Sequence, residues 1–373
     1  MPRTAPLLLC LALFLCAPAL PSSGQELTVT DSLGRSVTLP SSPERLIASG
    51  SGALRLVVYL QAQDRIVATD SAEKPANTLA ALRARPYSLA NPQFADLPLF
   101  GEFRGMDSPE LIAGLNPRPQ VIFKVSPKAG PSPDDLTSKT GIPVVGFEYG
   151  NLTDKRGDLY ATLRLMGRIL GREQRAEEVI SFFEGEIGEL RARTEDIPEK
   201  DRPSCYIGGV AFRGGHGFAS TEPGYAPFVF AGGRNIAGDL ATGKSENIQM
   251  SREKLLADDP EVIFIDLNTL AAGEEANALS QLAADPALKA LSAVRKGSVW
   301  GVLPYNAYTA NYGSIIANAW FIGKTLYPER FADIDPAAKA GEIYTFLVGK
   351  PVFPAINDAF SGLVFSPLEG AKK

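Results

Sequence analysis

Histidine is almost missing from this 373-residue chain: His216 is the only one, and cysteine occurs just three times, at Cys10, Cys16 and Cys205. A four-ligand zinc site of the usual Cys/His kind is therefore not expected, and neither HExxH nor CxxC occurs. A Ser-His-Asp triad would have His216 alone to draw on, and no G-x-S-x-G elbow accompanies it. Basic runs are absent too. The 37 Lys and Arg are dispersed and the net charge is −5, which argues against a nucleic-acid footprint. Past the first two dozen residues no apolar stretch approaches the length of a membrane span. One cysteine beyond that point allows no internal disulfide, so the fold must be held by its core. Cys205, between Ser204 and Tyr206 in a strand-like run, reads as a small buried hydrophobe rather than a nucleophile.

What is present begins with a leader. Arg3 supplies a positive start, Leu7 to Leu15 (LLLCLALFL) a short apolar region, and Ala17-Pro18-Ala19 a small-x-small cleavage site. Residues 1–24 read as a secretory signal peptide, cut after Ala19 or near Gly24. A lipid anchor on Cys16 ranks second, because Leu15 stands where lipoprotein processing wants Gly or Ala.

Glu26 to Pro40 alternates apolar and polar residues around Leu33-Gly34 and predicts a hairpin. RLIASG, the Gly50-Ser51-Gly52 turn, ALRLVVYL and RIVATD then give strand, turn, helix and strand, a βαβ unit with a parallel sheet. One plan occurs twice: PELIAGLNPRPQVIF (Pro109 to Phe123) and REKLLADDPEVIFI (Arg252 to Ile265) each run from a Glu through an apolar helix turn and a proline to a buried V-I-F strand. Two copies imply two α/β lobes of similar design. Between them Asp154 to Arg193 keeps a helical apolar period without proline, about 40 residues or roughly 60 Å if fully helical, with Gly171 as a soft break. The predicted organisation is an N-terminal lobe at 25–153, a connecting helix at 154–197 and a C-terminal lobe at 198–373.

The order GRSVTLPSSPERLIA, DRIVAT, SPELIAGLNPRPQVIF, then NIAGDL, SREKLLADDPEVIFID and ANAWFIGKTLYPERFADIDPAAKAGEIYTFLVGKP resembles the class III periplasmic solute-binding proteins of ABC importers. These serve ferric siderophores, haem and corrinoids, with a molybdate and tungstate branch. The resemblance spans essentially the whole chain after the leader. It implies two α/β lobes with mainly parallel sheets, one long connecting helix and a ligand cleft between the lobes. It further implies a periplasmic, monomeric protein without catalysis or resident cofactor, carrying a metal chelate or an oxyanion to an inner-membrane permease. Relatives dock through an acidic residue on each lobe, for which Glu110 and Glu253 are the candidates, although both also suit helix starts. Arg55 stands where a first-lobe Glu is common, a departure from the family pattern.

In this architecture ligand contacts come from loops at the carboxyl ends of the strands. Ser51 and Gly52 open a helix whose free N–H groups and dipole favour an anion, and Arg55 lies one turn in. Arg104 and Arg213, each beside glycine, suit oxyanions and carboxylates. Lys124 and Ser126 end a buried strand. His216, in GGHGFAST, could donate to an anion or meet a metal centre, or serve as a base in the enzyme alternative. Tyr305, Asn306, Tyr308, Asn311 and Tyr312 form the densest polar-aromatic cluster, a recognition wall in which Asn311 could equally cap a helix. Tyr225 is a further candidate contact, although STEPGYAPF also reads as a helix start with Pro223 near its first position and Glu222 serving the helix dipole. A chelate of the ferric siderophore, haem or corrinoid kind is the first expectation. Molybdate or tungstate, held by Arg55, Arg213, His216 and tyrosine hydroxyls, is the second.

Overall fold

The computed structural model describes residues 26–75, 85–240 and 247–368; the expected signal peptide, Cys10 and Cys16 lie outside them. The hairpin forms as β1 (Glu26–Thr30) and β2 (Ser36–Pro40), antiparallel from Glu26 opposite Pro40 to Thr30 opposite Ser36, with Gly34 at φ 76° in the turn. Short apolar runs follow, and they are buried on both faces, as parallel strands are. In the first lobe β3 (Leu46–Ser49), β7 (Val121–Val125) and β8 (Val144–Phe147) form a parallel sheet with the V-I-F strand β7 at its centre. Beside it, β4 (Thr69–Asp70), β5 (Leu99–Glu102) and β6 (Met106–Asp107) make a second, mixed sheet.

The second lobe repeats the scheme. Its sheet runs β11 (Arg234–Asn235), β9 (Ser204–Gly208), β13 (Val262–Asp266), β14 (Val299–Val302), all parallel. The duplicated plan seen in the sequence is real in three dimensions. Helix α3 (Pro109–Ala113) precedes β7 and α7 (Arg252–Asp258) precedes β13; Ser108 caps the first by accepting from Leu111 N and Ser251 the second by accepting from Lys254 N. The chain order also contains α1 (Ala53–Tyr59) and α2 (Pro86–Ala90) in the first lobe.

The segment expected as one 60 Å strut is instead a helical hairpin. α4 (Arg156–Leu170) ends at Gly171, whose φ of 63° stops the helix, and α5 (Glu173–Ala192) turns back along it. Arg164 with Glu177 at 2.7 Å and Arg156 with Glu184 at 3.2 Å bridge the two helices. α4 stays on the first lobe, donating and accepting through Thr162 to Glu148 O and Ser42 N to Ile169 O. α5, with 20 residues, is the connecting helix and packs against α6 (Ala226–Ala231) and α8 (Tyr312–Leu326) of the second lobe. α9 (Pro336–Val348) and α10 (Phe353–Ala359) then return to touch α1 and α2. One continuous apolar cluster consequently joins the lobes, from Val29 and Leu56 through Phe183 to Trp320 and Ile343. Cys205 is fully buried and free, and burial pushes its thiol up far beyond reactivity. No helix among the described residues is long and apolar enough to cross a membrane.

Candidate functional site

Both sheets send their carboxyl-end loops to one cleft of about 800 Å³. From the first lobe, β3 runs into Gly50-Ser51-Gly52. The glycines adopt φ 88° and 89°, and a Cβ on Gly52 would stand 2.3 Å from the Tyr149 ring. Only glycine fits there, and Ser51 is left lining the cleft. The turn between β5 and β6 presents Phe103 and Arg104, whose guanidinium carbon lies 5.0 Å over the Phe103 ring. Ser126, at φ 52°, follows β7.

The second lobe answers with the same tripeptide. Phe212-Arg213-Gly214 follows β9, and Arg213 stacks 5.3 Å over Phe212 as Arg104 does over Phe103. The two arginines share a left-handed backbone, φ 64° at Arg104 and 59° at Arg213, which turns each side chain back onto its phenylalanine. Gly215, Asn268 after β13, and Asn306 to Thr309 after β14 complete the wall. Asn306 donates to Ala211 O at 2.9 Å; Asn268 is buried and its Oδ1 has no donor among the described residues. The lining holds two guanidinium groups, the three aromatic rings of Phe103, Phe212 and Tyr308, and no carboxylate.

Of the residues expected at the site, Ser51, Arg104, Ser126, Arg213, Asn306 and Tyr308 meet in this cleft. The others sit behind it. Arg55 is 1% exposed, and its guanidinium donates to Ala310 O at 2.7 Å, to Ala307 O and Tyr308 O at 3.2 and 3.3 Å, and to Tyr149 Oη. Lys124 is buried in an ion pair with Asp107 at 2.5 Å and donates to Gly105 O at 3.0 Å, which anchors the Arg104 turn. The His216 ring is bonded through Nε2 to Phe212 O at 2.6 Å, so it braces the Arg213 loop. Asn311 takes the N-cap position of α8 without capping it; its Nδ2 instead donates back to Tyr305 O and Ala307 O. Tyr225 is buried against Phe228 and Tyr305, and its helix starts at Ala226 with Pro227 in the first turn, later than the Pro223 start expected from the sequence. Glu222 does not serve that helix; it accepts from the Tyr305 hydroxyl. Glu110 and Glu253 are both exposed, each in the first turn of its serine-capped helix.

Behind the second-lobe wall burial pushes the Asp266 carboxyl up to about 8, with Glu222 adding repulsion, and raises Glu222 itself to about 7. Asp70, which accepts from the Tyr308 hydroxyl, is raised to about 6 by burial. The unfolded carboxyls titrate near 4. Between there and the folded values the native state holds protons that the unfolded state has released, so stability falls as pH rises. Thermal unfolding should therefore show a lower Tm at pH 8 than at pH 5.5, and Asp266→Asn should flatten that slope. An equal or higher Tm at pH 8 would count against this assignment.

Phe103, Phe212, Asn268 and Thr309 are cleft residues that sequence reasoning passed over. The signal was available for two of them in the repeated string FRG. Another string, GDLATGKS at 238–245, has the G-x-x-x-x-G-K-S form of a phosphate loop. Its context is wrong for one. A phosphate loop joins a strand to a helix, whereas this string follows the two-residue β11 and precedes β12 (Ile248–Gln249), which pairs antiparallel with β10 (Ser220–Thr221), and residues 241–246 lie outside those described. Among the described residues no group of three His, Cys, Asp or Glu is placed to hold a metal.

The family described as periplasmic binding protein matches residues 46–303. No curated protein sequence matches the chain. Among solved structures, the molybdate periplasmic binding protein MolA of Haemophilus influenzae, bound to molybdate, is 20% identical over 87% of this chain and 98% of that one, with a TM-score of 0.64. A periplasmic solute binding protein from Veillonella parvula is 18% identical over 87% and 93%, at 0.66. The TroA-like periplasmic binding protein FepB from the same organism is 22% identical over 87% and 96%, at 0.62. At these identities the likeness is one of fold: two α/β lobes around a cleft.

Proposed function

The chain belongs to the periplasmic binding protein family, and on that premise we propose that it captures a metal chelate, in the first place an anionic one of the ferric siderophore or haem kind and in the second a corrinoid, whose phosphodiester supplies the anionic oxygen, and delivers it to the permease of an inner-membrane ABC importer. The observation that carries this reading is the lining of the cleft: two opposed Phe–Arg pairs and no carboxylate around about 800 Å³. Stacked phenylalanine offers flat apolar area to ligand rings, while each guanidinium offers a fork to carboxylate or catecholate oxygen. A cation-seeking site would be built from acids and histidine.

The fold shared with the Haemophilus protein suggests molybdate as a second ligand. The volume weighs against it, since a tetrahedral anion needs a tight pocket of convergent donors. An enzyme built on His216 is disfavoured by the bond that commits its ring to Phe212 O.

The test is isothermal titration of the mature protein with an anionic ferric catecholate complex, with haem, with cobalamin and with molybdate. Saturable binding of a chelate, weakened by salt, is the expected result; molybdate binding alone would transfer the reading to the oxyanion. Delivery is proposed to use Glu110 and Glu253, exposed at equivalent places on the two lobes. Glu110→Lys with Glu253→Lys should leave chelate affinity within about twofold, as surface changes away from a site do, and abolish uptake in cells carrying the importer. Unchanged uptake would remove these residues from docking.

A further inference from the structure

The cleft wall after β14 is built on strain. Tyr308 and Thr309 are consecutive residues at φ 55° and 64°. Left-handed backbone is uncommon for any side chain, and for β-branched threonine it is an outlier. Such strain persists only where the surroundings impose it, and it concentrates at ligand clamps. Here Arg55 imposes it. Reaching across from the first lobe, its guanidinium holds the carbonyls of Ala307, Tyr308 and Ala310, and Tyr149 Oη donates to Ala310 O at 2.7 Å. The Tyr308 hydroxyl is fixed as well, donating to Asp70 and accepting from Arg104 N.

In a planar trans peptide the N–H points opposite the C=O. With the carbonyls of Ala307 and Tyr308 drawn back onto buried Arg55, the N–H groups of Tyr308 and Thr309 turn the other way, toward the cleft that residues 307–309 line. Neither N–H finds an acceptor among the described residues. Backbone amides are seldom left unpaired, and successive ones facing a cavity are a recurrent anion site.

We propose that the Tyr308 and Thr309 N–H groups form an oxyanion-binding element on the second-lobe wall, and that Arg55 is a positioning residue that fixes it from behind. The inference rests on the chelate reading and deepens it: the ligand presents an anionic oxygen, as carboxylate, catecholate or oxo group, to this wall. It also gives a buried guanidinium a role in anion binding without touching the anion.

The test uses the full mature protein labelled with ¹⁵N-tyrosine or ¹⁵N-threonine, titrated with sodium molybdate as a simple oxyanion and followed by amide NMR. The Tyr308 and Thr309 signals are assigned from Tyr308→Phe and Thr309→Ser. Both should move downfield saturably while distant amides stay in place. Arg55→Met should weaken that response at least about tenfold, the scale of losing charge-assisted donors, and Arg55→Lys should recover part of it. A purely structural arginine would lower the melting temperature and leave the two shifts intact. If Arg55→Met fails to fold, the wild-type titration and Arg55→Lys decide. Silent Tyr308 and Thr309 amides in the wild type, or responses identical in the wild type and the folded Arg55 variants, overturn the proposal. The chelate reading fails separately: amides that answer molybdate while no ferric catecholate, haem or cobalamin binds by calorimetry would refute that reading and leave the oxyanion element standing.

Discussion

Arg104→Glu combined with Arg213→Glu is expected to weaken capture of an anionic chelate by about 10²–10³-fold. Hydrogen bonds to charged groups contribute about 1.5–3 kcal/mol each, and two of them, discounted for exposure and salt, leave about 3–4 kcal/mol, which is that range of affinity. Both side chains are exposed and each stacks on its own phenylalanine, so the fold should be almost unaffected. Each single change should cost about tenfold. Raising the salt from 50 to 500 mM should weaken the wild type more than the double variant, because screening acts on the charges the variant has lost. Calorimetry across that series checks it, and equal affinity in wild type and double variant would mean that the opposed arginines do not face the ligand.

Lys124→Met is expected to cost about 3–5 kcal/mol of stability, the penalty for stranding one partner of a buried ion pair. Lys124 and Asp107 are both fully buried as side chains, 2.5 Å apart, and Ser49 Oγ donates to the same carboxylate at 2.6 Å. Removing the ammonium leaves Asp107 without its counter-charge and Gly105 O without its donor. Urea unfolding of the single variant should show a clearly lower midpoint. Lys124→Met with Asp107→Leu should recover most of the loss, because an apolar pair of similar volume replaces a desolvated ionic one. A single variant as stable as the wild type would contradict the buried pair. Since Gly105 follows Arg104, the single variant should also bind the chelate more weakly, and that second effect ties the pair to the site.

The scaffold was largely legible in the sequence. β3, β7, β9 and β13 are buried on both faces, so each is a near-continuous apolar run, and the duplicated Glu-led helix turn and V-I-F strand revealed two lobes. Arg104 and Arg213 were legible because an arginine beside glycine after a buried strand has few packing uses. What could not be read depends on partners distant in the chain. Arg55 looked like a cleft cation one turn into a helix, but the carbonyls that bury it are 252 to 255 residues away. His216 lies in the right loop, yet a bond to a carbonyl four residues back holds its ring. The periodicity of Asp154 to Arg193 is the same for one helix or two. The left-handed turn at Gly171 and the Arg164–Glu177 and Arg156–Glu184 pairs decide for a hairpin. Asn311 shows the same limit at small scale: the cap position was legible, and the competing carbonyls of its own loop were not.

On the proposed function, the two opposed Phe–Arg pairs make the cleft selective for an anionic metal chelate. The most direct measurement is a calorimetric comparison, on the wild-type mature protein, of an anionic ferric catecholate complex against a cationic metal complex of similar size. One-to-one binding of the anionic complex, lost in Arg104→Glu with Arg213→Glu, and no heat from the cationic one is the predicted result. Binding of the cationic complex, or anionic binding untouched by the double substitution, would contradict it.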